Sequence, residues 1–215
     1  MGILKNGLNG PVKGRVGKIV YYELNGQNVS RSIGVIPENW TIPQLSVRMK
    51  TSISSKLLKH LKAFFNVGFS IEIKGTTQNT FNMAVGINSQ KMMTGVYPNF
   101  KVDFSKLVLS RGLLNPGADL QASVTEEVIS FTWAATPTMQ WPESTDLVMM
   151  IAYFPEKERS LVTIGGNARN TGADQLTLPP SLKGLRAETY IAFVAADRKQ
   201  VSDSTYLGSL NLAIQ

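Results

Sequence analysis

The chain contains no cysteine. Disulfides, thiolate nucleophiles, iron–sulfur clusters and cysteine-ligated zinc sites are therefore excluded. Histidine occurs once, at His60. A metal site built on two or three imidazoles of one chain is excluded as well, and acid–base chemistry has one conventional base to draw on. No apolar run approaches the roughly 18 residues that a membrane-spanning helix needs, so no membrane span is expected. The opening residues lack the apolar core of a secretory signal, which points to cytoplasmic synthesis. Acidic residues are scarce in the first half, with none between Glu38 and Glu72.

What is present reads as globular protein, with 43% hydrophobic residues in a chain of 215. The net charge of +7 is unevenly spread: residues 1–115 carry +11 and residues 116–215 carry −4. That asymmetry predicts two modules with different partners. The basic half suits nucleic acid, an acidic surface, or the acidic half of another copy, and the sign alone does not choose.

The first 18 residues are punctuated by glycine and predict an arm rather than a stable element. Gly7, Gly10, Pro11, Gly14, Val16 and Gly17 are its candidate assembly residues. A segment unable to bury its own apolar side chains can do so on a partner. A phosphate-binding loop is not matched, because the spacing to Lys18 is too long and Ile19 stands where a hydroxyl residue is needed. Asn25-Gly26 between two extended runs predicts a hairpin, since both turn residues need positive φ.

Residues 37–43 read as a linker into a helix running to about Phe65, with a kink near Thr51-Ser52. Ile53, Leu57, Leu61, Phe64 and Phe65 share one arc of it, and Arg48, Lys59 and Lys62, with Lys56 nearby, form a basic face. His60 lies at the edge of the apolar arc and reads as a half-exposed helix histidine. An extended run is expected at 69–73, a second helix at 80–92, and strands at 101–104 and 106–110. From about residue 112 short apolar runs recur every 8–15 residues. Strands are expected near 119–124, 127–133, 146–154, 160–164, 174–178, 187–195 and 202–209, the count and spacing of a β-sandwich. Glu126/Glu127, Glu143/Asp146 and Glu156/Glu158 fall at strand ends or turns, where solvated loop charges are the ordinary reading.

The C-terminal runs carry a resemblance. Ile129-Ser130-Phe131-Thr132-Trp133 resembles the second strand of a fibronectin type III domain, with its core tryptophan. Residues 146–153 resemble the third strand, and the Tyr190-x-x-Phe193-Val194 run resembles the sixth. The resemblance implies a fibronectin-III-like or immunoglobulin-like sandwich with Trp133, Tyr190 and Phe193 in its core. The whole chain also resembles an uncharacterised Bacteroidetes family, a domain of unknown function. The segments that carry this are Asn6-Gly7-x-x-Gly10-Pro11-x-x-Gly14-x-Val16-Gly17, Pro43-Gln44-Leu45 leading to Phe65-Asn66-Val67-Gly68-Phe69, Phe81-Asn82-x-Ala84, Thr94-Gly95-x-Tyr97-Pro98-x-Phe100 and Leu109-Ser110-Arg111-Gly112. That resemblance implies no activity and no catalytic residues.

These observations predict two modules. Residues 1–111 form a basic α+β module with a β-hairpin, one long and one short helix. Residues 112–215 form an all-β fibronectin-III-like sandwich. The expected function is non-enzymatic, without a cofactor or metal: a structural or interaction protein that assembles with other copies of itself or docks another protein. Incorporation into a phage-derived particle or virion is compatible with this, by analogy with other arm-bearing sandwiches. Nucleic acid bound by the basic half is the alternative partner. Carbohydrate bound on Trp133, Trp141 or Tyr153 comes third.

Overall fold

The computed structural model describes residues 2–4, 10–24, 26–35, 39–125, 127–136 and 138–211. They are mixed α and β, with more strand than helix, and divide into two compact units, 1–42 and 43–215.

The first unit is a four-stranded antiparallel meander: β1 (Gly2–Leu4), β2 (Val12–Val16), β3 (Ile19–Leu24) and β4 (Gln27–Ser32). The expected arm is thus in part a strand. Val12, Gly14 and Val16 alternate with Lys13 and Arg15 along β2, and β2 pairs with β3 from Gly14↔Tyr21 to Val16↔Ile19. Gly17, at φ +60°, makes the tight turn between them, a conformation costly for any residue with a Cβ. The hairpin β3–β4 pairs Ile19↔Ser32 through Leu24↔Gln27. Its turn contains Gly26 at φ +79°, while Asn25 lies outside the described residues.

In the second unit, α1 (Ile42–Lys59) runs through Thr51-Ser52 without interruption. The break falls instead at His60-Leu61, where the amides of both residues bond three positions back, to Leu57 and Leu58. α2 (Lys62–Gly68) follows. The tightened turn lets Leu57, Leu58, Leu61, Phe64 and Phe65 all enter the core. Residues 69–75 are a succession of turns, not the expected strand. Phe69 is fully buried there, and local bonds such as Ile73 N–H to the Phe69 carbonyl take the place of a ladder. α3 (Thr80–Lys91) is capped by Asn79, whose side-chain oxygen accepts from the Asn82 amide at 2.7 Å. β5 (Met93–Thr94) and β6 (Lys101–Val102) form a small ladder.

All seven strands expected after residue 112 are present: β7 (Gln121–Val124), β8 (Val128–Thr132), β9 (Leu147–Phe154), β10 (Arg159–Ala168), β11 (Ala173–Thr177), β12 (Arg186–Val194) and β13 (Thr205–Asn211). They form two antiparallel sheets, ordered β11-β8-β7 and β10-β9-β12-β13. One core lies between the sheets, with Ile129, Phe131 and Trp133 meeting Val148, Met150, Ile191 and Phe193. A second core lies on the opposite face of the four-stranded sheet. There Met149, Ile151, Tyr153, Tyr190 and Ala192 meet the helical residues Leu58, Phe64 and Phe65. The four-stranded sheet is therefore buried on both faces at β9 and β12, and this explains their nearly unbroken apolar runs. A boundary at residue 111 would cut through the second core, because helices and sheet complete each other's burial. The compact units divide at 42/43 instead.

Candidate functional site

The expected assembly residues fall on the first unit. Gly10 and Pro11 precede β2, Gly14 and Val16 lie within it, and Gly17 forms its turn; Gly7 lies outside the described residues. No described residue of this unit is buried. Ile3 is 64% exposed, Val16 51% and Val35 93%, and Ile19, Leu24 and Ile33 are exposed as well. Among its described residues Lys13, Arg15, Lys18 and Arg31 stand against Glu23, which pairs with Lys13 at 3.0 Å. β1 and β4 are the end strands of the sheet and carry no further strand among the described residues.

Arg48, Lys56, Lys59 and Lys62 are all exposed, on α1 and the first residue of α2. Neither helix contains an acidic residue. Phe64 and Phe65 are fully buried, so no stacking aromatic from this run accompanies the lysines. His60 lies in the turn after α1. Its Nε2 is 3.8 Å from Glu158, and the Ser160 hydroxyl donates to its carbonyl at 2.6 Å rather than to the imidazole. No serine–histidine pair is therefore formed there.

Trp133 and Phe193 meet edge to face at 5.6 Å in the core between the sheets. Such pairs contribute about 0.5–1.5 kcal/mol beyond area burial. Tyr190 does not join them. It lies in the helix-facing core, where its hydroxyl donates to the Phe104 carbonyl at 2.7 Å. Burial and the neighbouring Glu188 hold its phenol far above the usual tyrosine range. The reason is parity: residues 190 and 193 of one strand point to opposite faces.

The second unit holds two buried charge networks. Arg169 is 2% exposed and lies over the Phe193 ring at 4.4 Å. It donates to the Asn115 carbonyl at 2.8 Å and pairs with Glu143 at 3.4 Å and Asp146 at 3.5 Å. Its carbonyl accepts from the Trp133 indole at 2.6 Å. Burial raises the Asp146 carboxyl above its ordinary range, against the pull of Arg169. On the other face of the same sheet, Glu188 is 1% exposed. It pairs with Arg186 and accepts from the Tyr206 hydroxyl at 2.5 Å. Burial, then that bond, raises the Tyr206 phenol. The sequence pairs Glu143 with Asp146 but reads them as solvated; Asp146 is instead buried, and the arginine that joins them, Arg169, reaches Asn115, 54 residues away.

The acidic pairs do not face one another across a cleft. Glu143 and Asp146 share Arg169, Glu156 accepts from the Arg186 amide, and Glu158 faces His60; Glu126 lies outside the described residues. Of the three aromatic platforms considered for carbohydrate, Trp133 and Tyr153 are buried and Trp141 alone is exposed, at 78%. Among the described residues no group of three His, Asp or Glu is placed to hold a metal ion. No helix there is long and apolar enough to cross a membrane.

No curated protein matches the chain. A family model described as a family of unknown function (DUF6266) matches residues 11–208, from the start of β2 into β13. With nearly the whole chain inside that match, the protein belongs to this family of unknown function.

Proposed function

We propose that this is a non-enzymatic interaction protein that assembles with further copies of itself, with the N-terminal sheet as the contact element. The observation that carries this reading is a four-stranded sheet in which no described side chain is buried. An antiparallel sheet needs a covered apolar face to hold its strands. A second copy suits the surface on charge: the described strands are basic and the last hundred residues of the chain are acidic. The end strands offer free backbone groups that another chain's edge can pair. A contact between unlike surfaces of this kind builds rings or filaments.

The partner module is read as a fibronectin-III-like sandwich. The strand orders β11-β8-β7 and β10-β9-β12-β13, the shared core and the buried Trp133 support that form.

The test is light scattering behind a sizing column, on the full chain and on a variant lacking residues 1–40, at two concentrations and two salt levels. The reading expects multiples of the 23.5 kDa chain mass, lost in the shortened variant and weakened by salt. A monomeric full chain at both concentrations, or multimers kept without residues 1–40, refutes it.

The exposed acid-free helix pair favours nucleic acid as the second reading, through phosphate contacts alone. Adding an oligonucleotide to the same column run separates it from self-assembly.

A further inference from the structure

A cleft of about 350 Å³ opens in the second unit where the end of α3, the turn at 104–106 and the start of β13 meet. Lys91, Ser105, Lys106, Ser204 and Tyr206 line it, with Leu107 and Val108 as its apolar wall. That volume lies within the range of small-molecule sites. No carboxylate is among its lining residues.

Lys91, Lys106 and Ser204 are the donors of the cleft, since the Ser105 and Tyr206 hydroxyls already donate to Asp103 and Glu188. Ser204 Oγ accepts from the Leu109 amide at 3.0 Å and from the Ser110 amide at 3.2 Å. Both acceptor positions of the hydroxyl are thereby used, so the role left to Ser204 is to donate its proton. No acceptor for that proton occurs among the described residues. Lys91, the last residue of α3, has no carboxylate partner among them either. Lys106 pairs with Asp103 at 3.2 Å, and both are solvent-facing enough for water to compete with the pair. Asp103 is further engaged by the Ser105 hydroxyl, the leading cause of its lowered carboxyl range, with Lys106 second. The Tyr206 hydroxyl donates to Glu188, so its proton is already committed.

We propose that this cleft binds a small phosphate-bearing molecule. Lys91 and Lys106, the latter shared with Asp103, provide two ammonium donors to a phosphate, the Ser204 hydroxyl adds a third donor, and Leu107, Val108 and the Tyr206 ring receive the organic part. Charge-assisted bonds from lysine to phosphate supply the affinity. The site is independent of the N-terminal sheet and of the exposed lysines of α1.

The experiment is a titration of the full chain with inorganic phosphate and with glycerol 3-phosphate, read from backbone amide shifts. Saturable shifts at residues 105–109 and 204–206, for either probe, are expected. Lys91→Ala and Lys106→Ala should each weaken binding about tenfold, and Lys56→Ala, on the helix face, should leave it unchanged. Neither lysine of the cleft is buried, so these variants keep the fold. Shifts that never saturate, that spread over the surface lysines, or that survive both cleft variants overturn the proposal. Shifts produced only by an added oligonucleotide, and by neither small probe, overturn it in favour of phosphates carried on a polymer.

Discussion

Asn88 is the polar joint of the helical layer, and replacing it by alanine isolates what the joint contributes. It is fully buried on α3. Its side-chain nitrogen donates to the Ala84 carbonyl at 2.9 Å and the Val108 carbonyl at 2.8 Å. Its side-chain oxygen accepts from the Val108 amide at 2.8 Å. The residue thus imitates a strand partner for an extended segment that has no ladder of its own. Asn88→Ala leaves both backbone groups of Val108 without their partner. Each orphaned group costs about 1–3 kcal/mol, so a loss of about 2–6 kcal/mol is expected. Better helix propensity returns about 0.5 kcal/mol. With a urea slope near 3 kcal/mol/M for a chain of this size, the midpoint should fall by about 0.5–1.8 M. Urea unfolding followed by circular dichroism measures it. A loss below about 1 kcal/mol, the scale of a single ordinary hydrogen bond, would show that water reaches Val108 and that the joint is not the support it is argued to be.

Two further outcomes follow from close packing and from burial. A Cβ on Gly68 would strike the Leu109 carbonyl and Ser110. Gly68→Ala should therefore cost about 1–3 kcal/mol in the same unfolding assay, although the substitution normally favours a helix. Asp146 has a folded-state carboxyl raised above its ordinary value of 3.8 by burial. Its contribution to stability is complete below that value and declines as the pH rises through the higher folded value. Asp146→Asn should flatten the fall of thermal stability with pH in the window that opens at 3.8 and runs upward. An unchanged pH profile would contradict this.

The sandwich strands are legible in the sequence because their two burial regimes leave different traces. β8 alternates Ile129 and Phe131 with polar neighbours, while β9 and β12 run apolar because both faces are covered. The same parity separates Tyr190 from Phe193 on sequence grounds alone, since an odd spacing along a strand reverses the face. The strand β2 is hidden by its glycines, which read as loop, although Val12-Lys13-Gly14-Arg15-Val16 alternates with period two. The segment 106–110 has the composition of a strand. Its backbone is instead satisfied by Asn88 and Ser204, from 20 and 95 residues away, and no local pattern encodes such a partnership. The phosphate cleft is assembled from three separated segments in the same way.

The burial of the two units argues for where a partner binds. Among the described residues of 43–215 the helices and both sheets cover one another, and the exposed large apolar side chains, such as Leu113 and Trp141, are isolated. Scattered exposed residues of that kind are ordinary. The N-terminal sheet is different, because its apolar residues are exposed on several adjoining strands at once. Its ladder hydrogen bonds largely replace bonds to water and contribute only about 1 kcal/mol each. Fixing the backbone costs about as much per residue, and side chains that are only partly buried, such as Val20, Tyr21 and Tyr22, offset little of that cost. The proposed self-assembly would supply these strands with a covering surface. On charge, the proposal favours another copy for that role, because the described strands are basic and the later half of the chain is acidic.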